Sequence, residues 1–279
     1  MQPISVDAAP LARLRARLAR LGAPLCLGID PHPDSLPEGL TADVGGIERF
    51  ARGIVEATSE HAAAVKINVA FFEAFGSAGI AALERVRADL PADLFVILDA
   101  KRGDIGPTAE RYAAALFGHL EADAVTLSPY LGEDAIEPFL VFEQRVVYVL
   151  TRTSNPSART IQDLPVDGGT LHERVAHWVA QRWPGGRVGL VVGATRPQEL
   201  RRLRELVPGL AFLVPGVGAQ GGELAAAVAC CHGTDAPGVV SVSRAIANAS
   251  RGDDWQEAAG AAAAALRASM QEVGATLGR

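Results

Sequence analysis

Short apolar runs rich in β-branched residues alternate along this chain with polar or Gly/Pro-containing turns, each followed by an Ala/Leu-rich stretch of helical spacing. The apolar runs are Pro24–Asp30, Ala63–Phe72, Leu94–Lys101, Ala124–Pro129, Arg145–Thr153, Val188–Thr195, Ala211–Gly218 and Gly238–Ile246. Each is nearly continuous in hydrophobicity, the pattern of a parallel strand buried on both faces. The stretches between them, Gly46–Glu60, Ser77–Leu90, Pro107–Leu120, Gly132–Glu143, Thr170–Trp183, Pro197–Leu206 and Gly222–Ala229, are predicted helices, and Asp253–Gly274 closes the series. Pro107 and Pro197 supply helix-start chemistry, because proline is preset for the first turn, where its missing N–H costs nothing. Eight strand–helix units in about 250 residues match an α/β fold of the (β/α)8 TIM-barrel class. A doubly wound sheet would carry GxGxxG after its first strand, and Gly28-Ile29-Asp30-Pro31 is not that turn.

Leu11, Leu14, Leu18 and Leu21 fall at helical spacing, so residues 1–22 are expected to form an extra N-terminal helix packed on the barrel rather than a transit peptide. No domain boundary is visible, and residues 1–279 read as one barrel domain. The longest interruption, 154–169, follows the fifth strand and is either a lid or a tolerated insertion.

Composition narrows the function. A formal net charge of -6 argues against a nucleic-acid stripe or a polybasic membrane surface, since both need surplus positive charge. No apolar run approaches the roughly 18 residues of a membrane span. Cys26, Cys230 and Cys231 make neither an even framework nor a CxxC pair, and read as reduced thiols of a cytoplasmic protein. The six histidines form no HExxH or HxH cluster, so no metal is expected. Of the 26 basic residues, 24 are Arg and two are Lys, Lys66 and Lys101. Arg would serve wherever positive charge alone is needed, so two retained lysines point to sites that require an ammonium.

In a barrel the chemistry gathers at the C-terminal strand ends. Asp99 and Lys101, two apart at the end of the third strand, share a side of it, and Lys66 lies between apolar neighbours in the second. Charges in buried strands are paired or functional, so these three residues form either a working site or an ion-pair lattice that fixes the barrel. In the seventh loop, Pro215–Gly222 offers exposed N–H groups ahead of a helix, and Arg244 follows the eighth strand; together they suit a phosphate. Thr153, Ser154, Asn155 and Gln162 could close over a ligand with neutral hydrogen bonds, or could simply be solvated.

Asp99-Ala-Lys101-Arg-Gly-Asp104-Ile105-Gly-Pro-Thr108 resembles the DxKxxDI signature of the orotidine 5'-phosphate decarboxylase family. The segments around Asp30, Lys66, Thr153–Pro156, Val214–Gly222 and Ser243-Arg244 look like its longer, mycobacterial-type branch. Arg152 departs from that pattern, which has a smaller residue before Thr-Ser-Asn-Pro. The resemblance implies cofactor-independent decarboxylation of orotidine 5'-phosphate to uridine 5'-phosphate. It assigns Lys101 as proton donor to C6, Asp99 beside the leaving carboxylate, and Lys66 and Asp104 as completing an alternating charged array. It further implies a homodimer in which Asp104, Ile105 and Thr108 enter the neighbouring site. Asp30 would bind the ribose, Ser128 the pyrimidine edge, Ser154 and Asn155 the ligand from the fifth loop, and Gln162, Gly218 and Arg244 the phosphate. Two alternatives stand beside it: a metal-dependent 3-keto-sugar-phosphate decarboxylase with Asp30 and Asp99 as ligands, and a nucleotide-binding barrel without chemistry.

Overall fold

The structure, a computed structural model, describes residues 10–184, 186–217, 221–232 and 237–277. Eight parallel strands close into a barrel: β1 (Leu25–Ile29), β2 (Ala64–Asn68), β3 (Phe95–Arg102), β4 (Ala124–Leu127), β5 (Val146–Arg152), β6 (Val188–Val192), β7 (Phe212–Pro215) and β8 (Val239–Val242). All eight coincide with predicted runs, and β8 pairs with β1 through Leu25–Leu27 and Val240–Val242. Alternation along each strand divides the core in two. Leu25, Leu27 and Ile29 face the surrounding helices, whereas Cys26, Ala64, Phe95, Ile97, Tyr148 and Leu213 fill the barrel interior.

The N-terminal helix α1 (Pro10–Leu21) closes the bottom of that interior, with Leu14 and Leu21 buried against the inner cluster. Its polar face is anchored as well. Arg17, itself buried, donates to the carbonyls of Ser59 and Ala62 at 2.5 and 2.8 Å, where helix α2 (Val44–Thr58) ends, and pairs with Asp93 at 2.6 Å. Ser59 is the C-cap of that helix, whose carbonyl has no intrahelical donor, and Ala62 lies in the connection that leads to β2. Around the barrel run α3 (Gly76–Ala88), α4 (Gly106–Ala113), α5 (Leu171–Arg182), α6 (Pro197–Leu206), α7 (Gly221–Cys231) and α8 (Trp255–Leu277). The start of α5 is fixed by a capping box between Thr170 and Glu173.

Three expectations are corrected. The second apolar run does not stay extended to Phe72. Asn68 Oδ1 accepts the Ala70 N–H at 3.3 Å and the chain turns into a short helix over Ala70–Glu73, so Phe72 is buried from a helix; hydrophobic continuity does not distinguish the two states. The eighth run likewise stops at Val242, and Arg244 opens a one-turn helix, Arg244–Ala247. The predicted helix Gly132–Glu143 breaks into a 3-10 turn over Glu133–Ala135 and one helical turn over Glu137–Leu140. Pro138 has no N–H to continue a helix and is accommodated only where one restarts. The 154–169 segment holds a 3-10 turn, one helical turn at Arg159–Gln162 and part of a small hairpin, Pro165-Val166 against Gly169-Thr170.

Candidate active site

At the C-terminal end of the barrel, β2 and β3 are in register with Lys66 opposite Ile97 and Asn68 opposite Asp99. Lys66 therefore starts one pleat below Asp99, and its long stem carries the ammonium up to it, with Nζ donating to Asp99 Oδ2 at 2.9 Å. Lys101 Nζ takes the other oxygen, Oδ1, at 2.7 Å. Asp30, just past β1, has Oδ1 4.0 Å from Lys66 Nζ. The two lysines of the chain thus grip one carboxylate. They differ in exposure: the Lys66 side chain is 8% exposed and that of Lys101 49%. Lys66 is built in, while Lys101 reaches open space.

The electrostatics follow from this packing. Burial alone would raise the Asp99 carboxyl, but Lys66 and Lys101, by charge and by hydrogen bond, hold it at about 2. Burial likewise pushes Lys66 toward its neutral form, and the charges of Asp99 and Asp30 more than reverse this, leaving its pKa raised. Asp99 remains an anion and Lys66 a cation across the neutral range. Burial, only partly offset by the Lys66 charge, pushes the Cys26 thiol below them up to about 12, which keeps it protonated and a poor nucleophile.

Lys101 has φ of 46°, a left-handed conformation that costs a non-glycine residue about 1–3 kcal/mol. It persists because the surroundings fix it. Lys101 N–H donates to Thr126 Oγ1 at 3.0 Å, and the Thr126 hydroxyl donates to Asp99 Oδ1 at 2.8 Å. Thr126 was not anticipated from the sequence. Its signal was its place on the inward face of β4, two residues before Ser128, but a threonine among Ala, Val and Leu also suits an ordinary strand.

A cleft of about 470 Å³ opens beside the array, walled by Asp30, Lys66, Gly216, Ser243 and Arg244. Glycine shapes it at two points. A Cβ on Gly28 would lie 2.8 Å from that of Ser243, so Gly28 lets β1 and the turn after β8 meet. Gly216, at φ of 87°, turns the chain after β7 and would carry a Cβ 3.3 Å from that of Ser154. Ser154, in the fifth loop, thus packs against Gly216 without being one of the cleft's walls. Arg244 is exposed and has no ion-pair partner among the described residues; Gly218 lies outside them.

The remaining candidates sit apart in this single chain. Ser128 lies against Gly103, whose Cβ would stand 3.1 Å from its own, and gives its N–H to the Arg102 carbonyl. Asp104 Oδ1 accepts the Ile105 N–H at 2.8 Å and joins neither lysine. Ile105 is 50% exposed, and Thr108 is exposed at the start of α4. Asn155 accepts from Thr153 Oγ1 at 2.6 Å and is exposed. Gln162 faces the base of its own loop, where Oε1 accepts the Thr153 N–H at 2.9 Å and Nε2 donates to Thr153 Oγ1 at 2.9 Å. Arg152, the departure from the pattern, proves to be the hub of this loop. Buried to 3% exposure, it donates to Glu199 at 2.6 Å and to Gln162 Oε1 at 3.2 Å, and lies 3.4 Å from Asp163.

Residues 23–261 match the family model described as Orotidine 5'-phosphate decarboxylase / HUMPS family. The chain belongs to this family. An orotidine 5'-phosphate decarboxylase of Roseiflexus sp. (strain RS-1) is 48% identical over 246 residues, covering 87% of this chain and 90% of the relative. One from Thermomicrobium roseum is 46% identical over 268 residues, 94% of each chain. The solved structure of Leishmania donovani OMP decarboxylase superimposes with a TM-score of 0.80 at 38% identity, covering 94% of this chain and 99% of that one. Among the described residues no helix is long and apolar enough to cross a membrane.

Proposed function

We propose that this chain is an orotidine 5'-phosphate decarboxylase of de novo pyrimidine synthesis, a carboxy-lyase that forms uridine 5'-phosphate and CO2 without metal or other cofactor. The observation that carries the reading is the Lys66–Asp99–Lys101 array at the strand ends, beside a cleft walled in part by Arg244, which has no ion-pair partner among the described residues. Losing CO2 from C6 of the pyrimidine leaves a carbanion that the ring delocalises poorly, so preorganised charge must stabilise it. Lys101 is the proton donor: its ammonium faces the developing charge and then protonates C6, a transfer for which a guanidinium of pKa above about 12 is unsuited. Asp99 sits beside the departing carboxylate and orients Lys101. Lys66 holds Asp99 and, with Asp30, the ribose. Arg244, Gly218 and Gln162 receive the phosphate, Ser128 the pyrimidine edge, and Ser154 and Asn155 close from the fifth loop. Gln162 would have to release Thr153 to do so, which makes 154–169 a lid.

The same reading takes residues 1–279 as one barrel domain of the longer, mycobacterial-type branch, acting in the cytoplasm as a homodimer with no nucleic-acid or membrane partner. Asp104, Ile105 and Thr108 enter the partner's site, in keeping with the exposure of Ile105 and the separation of Asp104 from its own lysines. A metal-dependent sugar-phosphate decarboxylase would need Asp30 and Asp99 to share a cation. Lys66 Nζ stands between them, at 4.0 and 2.9 Å, so this donor pair does not fit one. The test is an absorbance assay with orotidine 5'-phosphate in EDTA, which should show turnover by wild type. Mixing the inactive Lys101→Ala and Asp104→Ala chains should restore about a quarter of it through mixed dimers; no turnover by folded wild type would sink the proposal, and no recovery on mixing would remove the shared site.

A further inference from the structure

The pairing of β3 with β4 is regular from Ile97–Ala124 to Leu98–Val125 and resumes only at Arg102–Leu127. Three residues of β3, Asp99 to Lys101, therefore stand opposite the single residue Thr126. The bulge turns Lys101 left-handed, and its N–H meets the Thr126 hydroxyl at 3.0 Å instead of a carbonyl of the β4 ladder. The same hydroxyl donates to Asp99 Oδ1 at 2.8 Å, the oxygen that also accepts from Lys101 Nζ at 2.7 Å. One buried side chain, 1% exposed, thus fixes Lys101 at both ends, the backbone directly and the ammonium through Asp99.

We propose that Thr126 is a positioning residue for the decarboxylation, whose hydroxyl sets the bulge that aims Lys101 and holds Asp99 in line with it. This rests on the decarboxylase reading above. A hydroxyl is needed because it must accept from the Lys101 N–H and donate to the Asp99 carboxylate at once. Valine has the same shape and can do neither. A backbone N–H left without a partner in the bulge would draw Lys101 toward another carbonyl, and a displacement near 1 Å of a catalytic group costs on the order of 100-fold in rate. Thr126 is not among the walls of the adjoining cleft and does not touch Arg244, to which the phosphate is assigned, so binding should be largely spared.

The experiment compares wild type, Thr126→Val, Thr126→Ser and Thr126→Ala for kcat and KM with orotidine 5'-phosphate, for inhibition by uridine 5'-phosphate, and for melting temperature. The expected result is a kcat lower by about 10- to 100-fold in the valine and alanine variants, with inhibition by uridine 5'-phosphate within about threefold of wild type, and recovery in serine to within about threefold. Serine and alanine share the lost methyl, so their difference reports the hydroxyl. Wild-type kcat in a folded valine variant, or equal losses in serine and alanine, would overturn the assignment. Failure of both hydroxyl-free variants to fold would overturn it too, since the hydroxyl would then be a requirement of the fold. An inactive wild type would instead refute the decarboxylase reading.

Discussion

Two buried aspartates sit at opposite ends of this barrel, each between two cations, and their differences separate the proposed working site from a structural network. Asp123, just before β4, has a side chain 1% exposed; it accepts the Val96 N–H at 2.9 Å and pairs with Arg13 of α1 and with Arg145 at 3.3 Å. Asp99, at the other end, accepts from Lys66, Lys101 and Thr126. The first carboxylate ties the N-terminal helix and the start of β5 to the ladder. It uses guanidinium forks, which are permanently charged and bind carboxylates in fixed geometry. The second uses ammonium groups, one of them half exposed, and an ammonium can surrender its proton. In a chain with 24 arginines and two lysines, where the lysines stand marks the one of two similar networks to which we assign the chemistry.

That contrast breaks if the two networks respond alike to mutation. The largest effect is expected at Lys101→Ala, which should lower kcat by at least about a thousandfold, the scale of a lost general acid and its charge, while the melting temperature stays near that of wild type. Asp123→Ala should do the reverse. Removing one partner of a buried ionic network costs about 3–5 kcal/mol, so chemical denaturation should show a large loss of stability while the folded fraction keeps its kcat. Arg244→Ala should act on binding alone, raising KM for orotidine 5'-phosphate by about 100-fold with a smaller change in kcat, as for a charge-assisted phosphate contact of about 2–3 kcal/mol. The smallest effect concerns pH. Asp99 is held at about 2 in the fold, below the ordinary carboxylate value near 4. It therefore favours folding above about pH 4, and that contribution, about 2 kcal/mol, disappears as pH falls toward 2. Wild type should lose stability over this window relative to Asp99→Asn; parallel curves would show that the lysines do not hold the carboxyl down.

The sequence made the top of the barrel legible where residue type and period agreed. Lys66, Asp99 and Lys101 could be placed together because charged residues on one face of buried strands have few alternatives, and the structure joins them within 2.9 Å. Thr126 escaped notice because a β-branched residue in a strand needs no explanation, and the bulge opposite it has no signature in hydrophobic pattern. Arg152 was legible only as a departure; its meaning lies in Glu199 and Asp163, residues distant in sequence or in the loop that only the fold brings beside it. The segment after β4 failed as a helix because Pro138 and the positive φ of Gly132 override an apolar period. The role proposed for Asp104 and Ile105 would depend on a second copy, which pattern within one chain cannot report.

The central claim is that an ammonium at position 101, and not merely a positive charge, drives a metal-free decarboxylation. Its most direct test is the rate of orotidine 5'-phosphate consumption in EDTA by wild type and by Lys101→Arg, with binding of uridine 5'-phosphate measured on both. The account predicts turnover by wild type, retained binding in the variant and loss of at least about a hundredfold in its kcat; an arginine variant that turns over as wild type does would contradict it.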